Sequence, residues 1–108
     1  MRFTIKSTGF ELTPALQQEL EKKFIGFDKY LKRWDKDGAA LLEIEVAKTT
    51  NHHNKGQIFY AEANLQLPNI KLIRIEENSD TPHSAIDGLR NRLKKDILRL
   101  KGKLAKRR

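Results

Sequence analysis

The chain has 108 residues, 33% of them charged, a net charge of +8 and no cysteine. That length suits one domain, residues 1–108, with a modest core. The absence of cysteine excludes disulfides and thiolate metal sites and fits a cytoplasmic setting; MRFTIKSTGF is no signal peptide, and no segment is apolar enough to span a bilayer.

Met1 to Ser7 alternates, with Met1, Phe3 and Ile5 on one side and Arg2, Thr4 and Lys6 on the other. This is the pattern of a half-buried strand, closed by Thr8-Gly9. Thr13-Pro14 supplies an N-cap and a first-turn proline. Leu16, Leu20, Phe24, Phe27, Leu31 and Trp34 then recur at spacings of four, four, three, four and three. They predict a helix of about twenty residues with one apolar stripe. Lys22, Lys29 and Lys36 lie a heptad apart on its far side, beside Lys32 and Arg33, and are diluted by Glu19, Glu21, Asp28 and Asp35. Gly26 inside this helix costs ~1 kcal/mol relative to Ala and marks either a close approach or nothing.

Leu42, Ile44 and Val46 alternate with Glu43 and Glu45 as a second strand. Asn51 to Gly56 has turn composition. Phe59, Ala61, Ala63, Leu65 and Leu67 alternate with Tyr60, Glu62, Asn64 and Gln66 as a third strand, with Tyr60 on its outer face. Pro68-Asn69 is a turn, and Ile70 to Glu76 reads as a fourth strand with Ile73 and Ile75 inward. Thr81-Pro82 repeats the cap-plus-proline start for a second helix.

That last helix carries two stripes. Turning 100° per residue from Ile86 puts Ile86, Leu89, Leu93, Ile97, Leu100 and Leu104 within about 60° of one meridian. Arg92, Lys95, Arg99, Lys103 and Lys106 fall on the opposite side. Arg90, Lys94 and Lys101 lie near the core boundary, where their stems can snorkel. Residues 89–108 hold ten Lys/Arg and one acid, a net of +9, while residues 1–88 hold twelve Lys/Arg and thirteen acids, a net of −1. The excess charge therefore sits on one element, ending in a basic tail at about residues 104–108 that is expected to be disordered. Such an asymmetry points to a polyanion, nucleic acid before an anionic membrane.

The order β-α-β-β-β-α predicts an α+β fold. Strands one and two can run parallel across the first helix, and strands two to four should form an antiparallel meander. A four-stranded mixed sheet with both helices packed on one face, as in double-stranded-RNA-binding domains, buries every apolar face at once. Both basic faces would then look outward from the same side, with a charged furrow between them.

No catalytic constellation emerges. His52 and His53 share a polar loop and diverge, His83 stands apart, and no third ligand has metal-site spacing. Glu43/Glu45 and Glu76/Glu77 read as solvated strand residues, and no Gly-rich phosphate loop is present. We therefore expect a non-enzymatic protein with no cofactor, no metal and no small-molecule substrate. A cation at each turn of a helix suits a phosphate backbone without base-specific geometry. Surface aromatics are scarce, which favours folded RNA over stacking on single strands.

Several short motifs occur in order. Leu67-Pro68 ends in an LPG-like turn, Arg74-Ile75-Glu76-Glu77 matches R-A-E-E, and Ala85-Ile86-Asp87-Gly88-Leu89 matches the A-I-D start of a K/R-studded final helix. Gly9, Thr13, Ala15 and Leu16 follow a G-x-x-x-T-x-A-L opening, and Lys23-Phe24 and Tyr30-Leu31 match the K-F and Y-L/F pairs of the first helix. In these features the chain resembles the ribosome hibernation-promoting factor family, which includes the ribosome-associated translation inhibitor. The resemblance implies a cytoplasmic protein of stress and stationary phase. It would bind small-subunit ribosomal RNA in the channel for messenger and transfer RNA, block initiation and preserve idle ribosomes. The family's basic positions fall on Arg92, Lys95 and Arg99, and in the first helix on Lys23 and Arg33, although Lys23 lies on the apolar side of the wheel. Together with the wheel they give an expected RNA-binding set of Lys22, Lys23, Lys29, Arg33, Arg92, Lys95, Arg99 and Lys103. His83 replaces the usual aromatic, and Asn69 stands where the turn often has Gly. The chain ends at Arg108 without the dimerisation domain of long members, which implies a short or truncated form of unknown oligomeric state. The rival readings are a general structured-RNA-binding module without ribosome preference and a domain for an acidic protein partner.

Overall fold

The computed structural model describes residues 1–49 and 58–106, with side chains as far as Leu104. The elements are β1 (Arg2–Thr8), α1 (Pro14–Ile25), a 3-10 segment (Gly26–Tyr30), a short 3-10 turn (Lys36–Gly38), β2 (Leu41–Lys48), β3 (Phe59–Gln66), β4 (Ile73–Ser79) and α2 (Pro82–Lys106). They form one four-stranded sheet in the order β1-β2-β3-β4. β1 is parallel to β2, and the other pairs are antiparallel. This is the α+β arrangement expected from the alternation, with both helices on one face.

The register follows from burial. Phe3, Leu42 and Leu65 lie in one cross-strand row, and Ile5, Ile44, Ala63 and Ile75 in the next, all on the helix side. A slip of one residue would turn each row to solvent. α1 adds Leu16, Leu20 and Phe24, and α2 adds Ala85, Ile86, Leu89, Leu93 and Ile97. Phe24 stacks on Phe27 and meets Phe3 at a tilt, with centroids 5.6 and 6.3 Å apart, which ties β1 to the first helical segment.

Two elements differ from expectation. The first helix runs twelve residues, not about twenty, and tightens at Gly26 into the 3-10 segment. Phe27, Leu31 and Trp34 remain buried all the same. A 3-10 turn repeats every three residues, which keeps Phe27 below Phe24 on the core side; Leu31 and Trp34 lie past that segment, in the turns that follow it. Gly26 marks no close approach: it has ordinary αR dihedrals, and a Cβ there would meet nothing within 4 Å. The fourth strand starts at Ile73, three residues later than Ile70, because the chain first completes a turn closed by Ile70 N–H on Leu67 O. Asn69 holds φ 60° at the third position of that turn. Asn accepts this left-handed conformation better than other non-glycine residues, so it can stand in for Gly. Both caps form as expected: the hydroxyls of Thr13 and Thr81 accept from the N–H groups of Leu16 and Ser84. α2 continues to Lys106, past the start expected for the tail. The His52-His53 loop and residues 107 and 108 lie outside the described residues.

The far face of the sheet is polar. Glu45, Glu62 and Glu76 lie directly opposite one another on neighbouring strands, an arrangement that would repel if unrelieved. Thr8 donates to Glu45 at 2.7 Å, and Asn64 and Tyr60 donate to Glu62 at 2.7 and 2.6 Å. Arg74 bridges Glu62 and Glu76 at 2.7 and 2.9 Å. Burial, with the Glu62 carboxylate beside it, pushes the Tyr60 phenol up to about 12. The phenol's hydrogen bond pulls Glu62 below the usual carboxylate range.

Substitution at two glycines should act in opposite directions. Gly26→Ala should raise the urea midpoint by the equivalent of about 0.4–1 kcal/mol, since it removes unfolded-state freedom without strain. Gly9→Ala should lower stability by about 1–3 kcal/mol, because Gly9 has φ +80° and its Cβ would lie 2.6 Å from Lys48 O. The Tyr60 contribution has a defined pH window. Its folded pKa of about 12 lies above the ordinary 10.0, so its stabilisation is complete below pH 10 and is lost as pH rises toward 12. Tyr60→Phe should therefore show a flatter alkaline limb in urea melts between those values; parallel limbs would contradict this.

Candidate nucleic-acid interface

α2 has 25 residues and so spans about 37 Å at 1.5 Å per residue. An eight-residue strand covers only about 26 Å. The helix therefore overhangs the sheet, and Leu100 and Leu104 are only half-buried where the sheet ends. Around this axis the cations fall into two groups. Arg92, Lys95, Arg99 and Lys103 are exposed on the outer side. Arg90, Lys94 and Lys101 are half-buried on the side facing α1 and the 3-10 segment.

The outer group is not uniform. Arg92 donates to the main-chain oxygen of Glu76 at 2.6 Å and pairs with Glu77 at 3.3 Å. It therefore covers the open edge of β4 as well as facing solvent, so edge protection draws on a side chain that the sequence assigned to RNA. Arg99 makes only a loose pair with Asp96, at 3.9 Å. Lys95 and Lys103 have no carboxylate partner among the described residues. Arg99 and Lys103 line a cleft of about 400 Å³ against β4, together with Lys71 and the exposed Leu72. Lys71 extends the cationic surface and was not singled out in the sequence, because it lies in a turn where helical periodicity says nothing.

The first-helix candidates separate as well. Lys22 is exposed on α1. Lys23 is half-buried and bridges Glu19, at 2.9 Å, and Asp87. Burial would lower its pKa, but the two carboxylates outweigh that and raise it. Lys23 is thus spent on joining α1 to α2, which explains its place on the apolar side of the wheel. His83 Nδ1 lies 2.6 Å from the same Glu19 carboxylate, so the residue that replaces the usual aromatic joins this polar clasp. Lys29 lies in the 3-10 segment, and Arg33 beyond it sits over the Trp34 ring at 5.3 Å. The break at Gly26 means that Lys22, Lys29 and Arg33 do not form one ladder.

The furrow between the helices therefore has two ends. At the start of α2 it is neutralised by Glu19, Lys23, His83 and Asp87. Further along, Tyr30 is ringed by cations: the ammonium groups of Lys29, Lys94 and Lys101 lie 5.1, 5.8 and 5.6 Å from its ring centroid. Each such contact is worth ~0.5–1 kcal/mol at an exposed site. Burial would raise the Tyr30 phenol, but the charges of Lys29 and Lys94 prevail and hold it below its ordinary value. A wheel drawn on one helix assigns Lys94 and Lys101 to the core boundary. Their partner comes from a segment far earlier in the chain, where the sequence showed a tyrosine next to a lysine and a Y-L/F pair but nothing that joins them to α2.

Among the described residues, no group of three or more His, Cys, Asp or Glu side chains converges as a metal site, and no helix is long and apolar enough to cross a membrane. What the helix side offers is fixed positive charge.

Solved structures that share this fold include two that match this chain over nearly its whole length. The Protein Y N-terminal domain of Thermus thermophilus superposes with a TM-score of 0.70 at 26% identity, over 93% of this chain and 99% of that one. A ribosomal subunit interface protein from Coxiella burnetii gives 0.68 at 23% identity, over 94% and 99%; at that identity the likeness shows the fold alone. No curated protein sequence matches significantly. Residues 3–105 match the family described as Sigma 54 modulation protein / S30EA ribosomal protein. With nearly its whole length matched, the chain belongs to that family, whose members are ribosome-associated and are not enzymes.

Proposed function

We propose that this protein is a ribosome hibernation factor. It docks on small-subunit ribosomal RNA in the channel used by messenger and transfer RNA, blocks initiation there and so preserves idle ribosomes. The observation that carries this reading is the ladder Lys95, Arg99 and Lys103 on the overhanging half of α2: exposed, in register and weakly paired at most. Successive rungs are four residues apart, about 6 Å along the helix, while each strand of a duplex carries one phosphate per ~3.4 Å of its axis. A helix laid along that axis sets each rung against about every second phosphate, and long flexible stems absorb the mismatch. Lys22, Lys29, Arg33 and Arg92 are assigned supporting contacts, Arg92 only in part because it also guards β4. Lys23 is assigned the role of holding the helices together.

The polarity of the molecule supports the same orientation. The face that would meet RNA is cationic, while on the face turned away Arg2, Lys6 and Arg74 stand against Glu43, Glu45, Glu62 and Glu76 and leave it near balance. Phosphates would be drawn to one side and not to the other, which orients the encounter before any contact forms. A general structured-RNA-binding module would share the cations but show no preference between subunits.

The reading is tested by reversing charge where nothing folded depends on it. Lys95→Glu, Arg99→Glu and Lys103→Glu together should abolish sedimentation with ribosomes while leaving the urea midpoint within about 0.5 kcal/mol of wild type. The corresponding glutamine triple should flatten the dependence of log affinity on log salt by about 2–3 units. Wild-type sedimentation of the glutamate triple would sink the reading. Arg92 is left out of this set because its reversal would put a carboxylate beside Glu77 and uncover the β4 edge, confusing loss of binding with loss of fold.

A further inference from the structure

Three lysines gather on the ring of Tyr30. Lys29, Lys94 and Lys101 have no carboxylate partner among the described residues, although lysine–carboxylate pairs are made elsewhere in the same furrow. Their mutual repulsion is offset by the face of Tyr30, whose own ring leans on Phe27 with centroids 6.0 Å apart. The ring is thereby fixed, and it fixes the ammonium groups. Lys23, Gly26, Phe27, Lys29, Tyr30, Arg90 and Lys94 enclose a cleft of about 50 Å³. Since ~10–15 Å³ holds one water-sized group, it has room for the few oxygens of a phosphate and not for a stacked base.

We propose that Tyr30 is the positioning residue of a phosphate-binding pocket between the 3-10 segment and α2, in which Lys29, Arg90 and Lys94 take one backbone phosphate of the bound RNA. This pocket lies on the furrow side of α2, apart from the outer ladder, so the helix grips RNA from two sides. The proposal rests on the ribosome reading only for the source of the phosphate. The chemistry of the pocket, the ammonium groups of Lys29 and Lys94 and the Arg90 guanidinium around a small opening, would take inorganic phosphate as well.

Tyr30 can report its own occupancy. The chain has two tyrosines, and Tyr60→Phe leaves Tyr30 alone to be followed by phenolate absorbance. In that background inorganic phosphate should move the Tyr30 titration upward, toward the ordinary value, beyond the effect of chloride at equal ionic strength. Lys29→Gln with Lys94→Gln should remove the response. No difference between phosphate and chloride overturns the pocket, and does so whether or not the protein binds ribosomes.

The second arm uses ribosome sedimentation at moderate salt. Tyr30→Leu should weaken binding about tenfold, the worth of one charge-assisted contact, with the outer ladder intact. Tyr30→Phe, which keeps the ring face, should restore it. Equal binding by the leucine and phenylalanine variants overturns RNA as the source of the phosphate. A phosphate response in a protein that fails to sediment with ribosomes would support the pocket as a site for free phosphate and defeat the ribosome reading alone.

Discussion

Everything on the helix side of this protein depends on the burial of one stripe of α2 against β3 and β4. Ile86, Leu89, Leu93 and Ile97 are fully buried there, and each contributes about 1.5–3 kcal/mol relative to exposure. Against this stands the repulsion of a cationic helix, where like charges four residues apart cost about 0.2–0.5 kcal/mol per pair. Burial wins by a wide margin, so the helix can carry a net +9 over residues 89–108 without coming off the sheet. The cations have no inward outlet. They divide between the furrow beside Tyr30 and the outer side, and the geometry of that division sets what the protein can hold.

The polar contacts on the two faces of the sheet serve different ends. On the far face each carboxylate in the Glu45–Glu62–Glu76 row is answered by a hydroxyl, an amide or Arg74, so that face is close to balanced locally. In the furrow, balance is confined to the start of α2, where Lys23 and His83 meet Glu19 and Asp87. Beyond that clasp no carboxylate answers the positive charge among the described residues. A partner with its own negative charge would complete what the chain leaves open.

How much of this was legible in the sequence depends on how local the cause was. Period-two alternation gave the four strands and the inward residues, because sheet register is fixed by which side of each strand is apolar. Thr13-Pro14 and Thr81-Pro82 located both helix starts, since a cap is made by residues three apart. The outer ladder followed from a wheel on α2 for the same reason. The end of α1 was not legible: Phe27, Leu31 and Trp34 keep the spacing of a helix while the backbone has tightened into 3-10 and turn geometry. Three features were illegible because they join distant segments. Arg92 reaches back to Glu76 and Glu77, Lys23 reaches forward to Asp87, and Tyr30 collects Lys94 and Lys101. Helical periodicity treats each element alone and can assign none of them. The family resemblance supplied what periodicity could not, a reason to take the ladder as a contact surface for ribosomal RNA.

The most direct measurement is sedimentation of the wild-type protein with purified small subunits, large subunits and intact ribosomes at low and at moderate salt. The expected result is near-stoichiometric binding to small subunits and intact ribosomes, little to large subunits, and a preference that survives the rise in salt. Equal binding to every particle, fading together as salt increases, would contradict the hibernation reading and reduce α2 to a nonspecific ladder of cations.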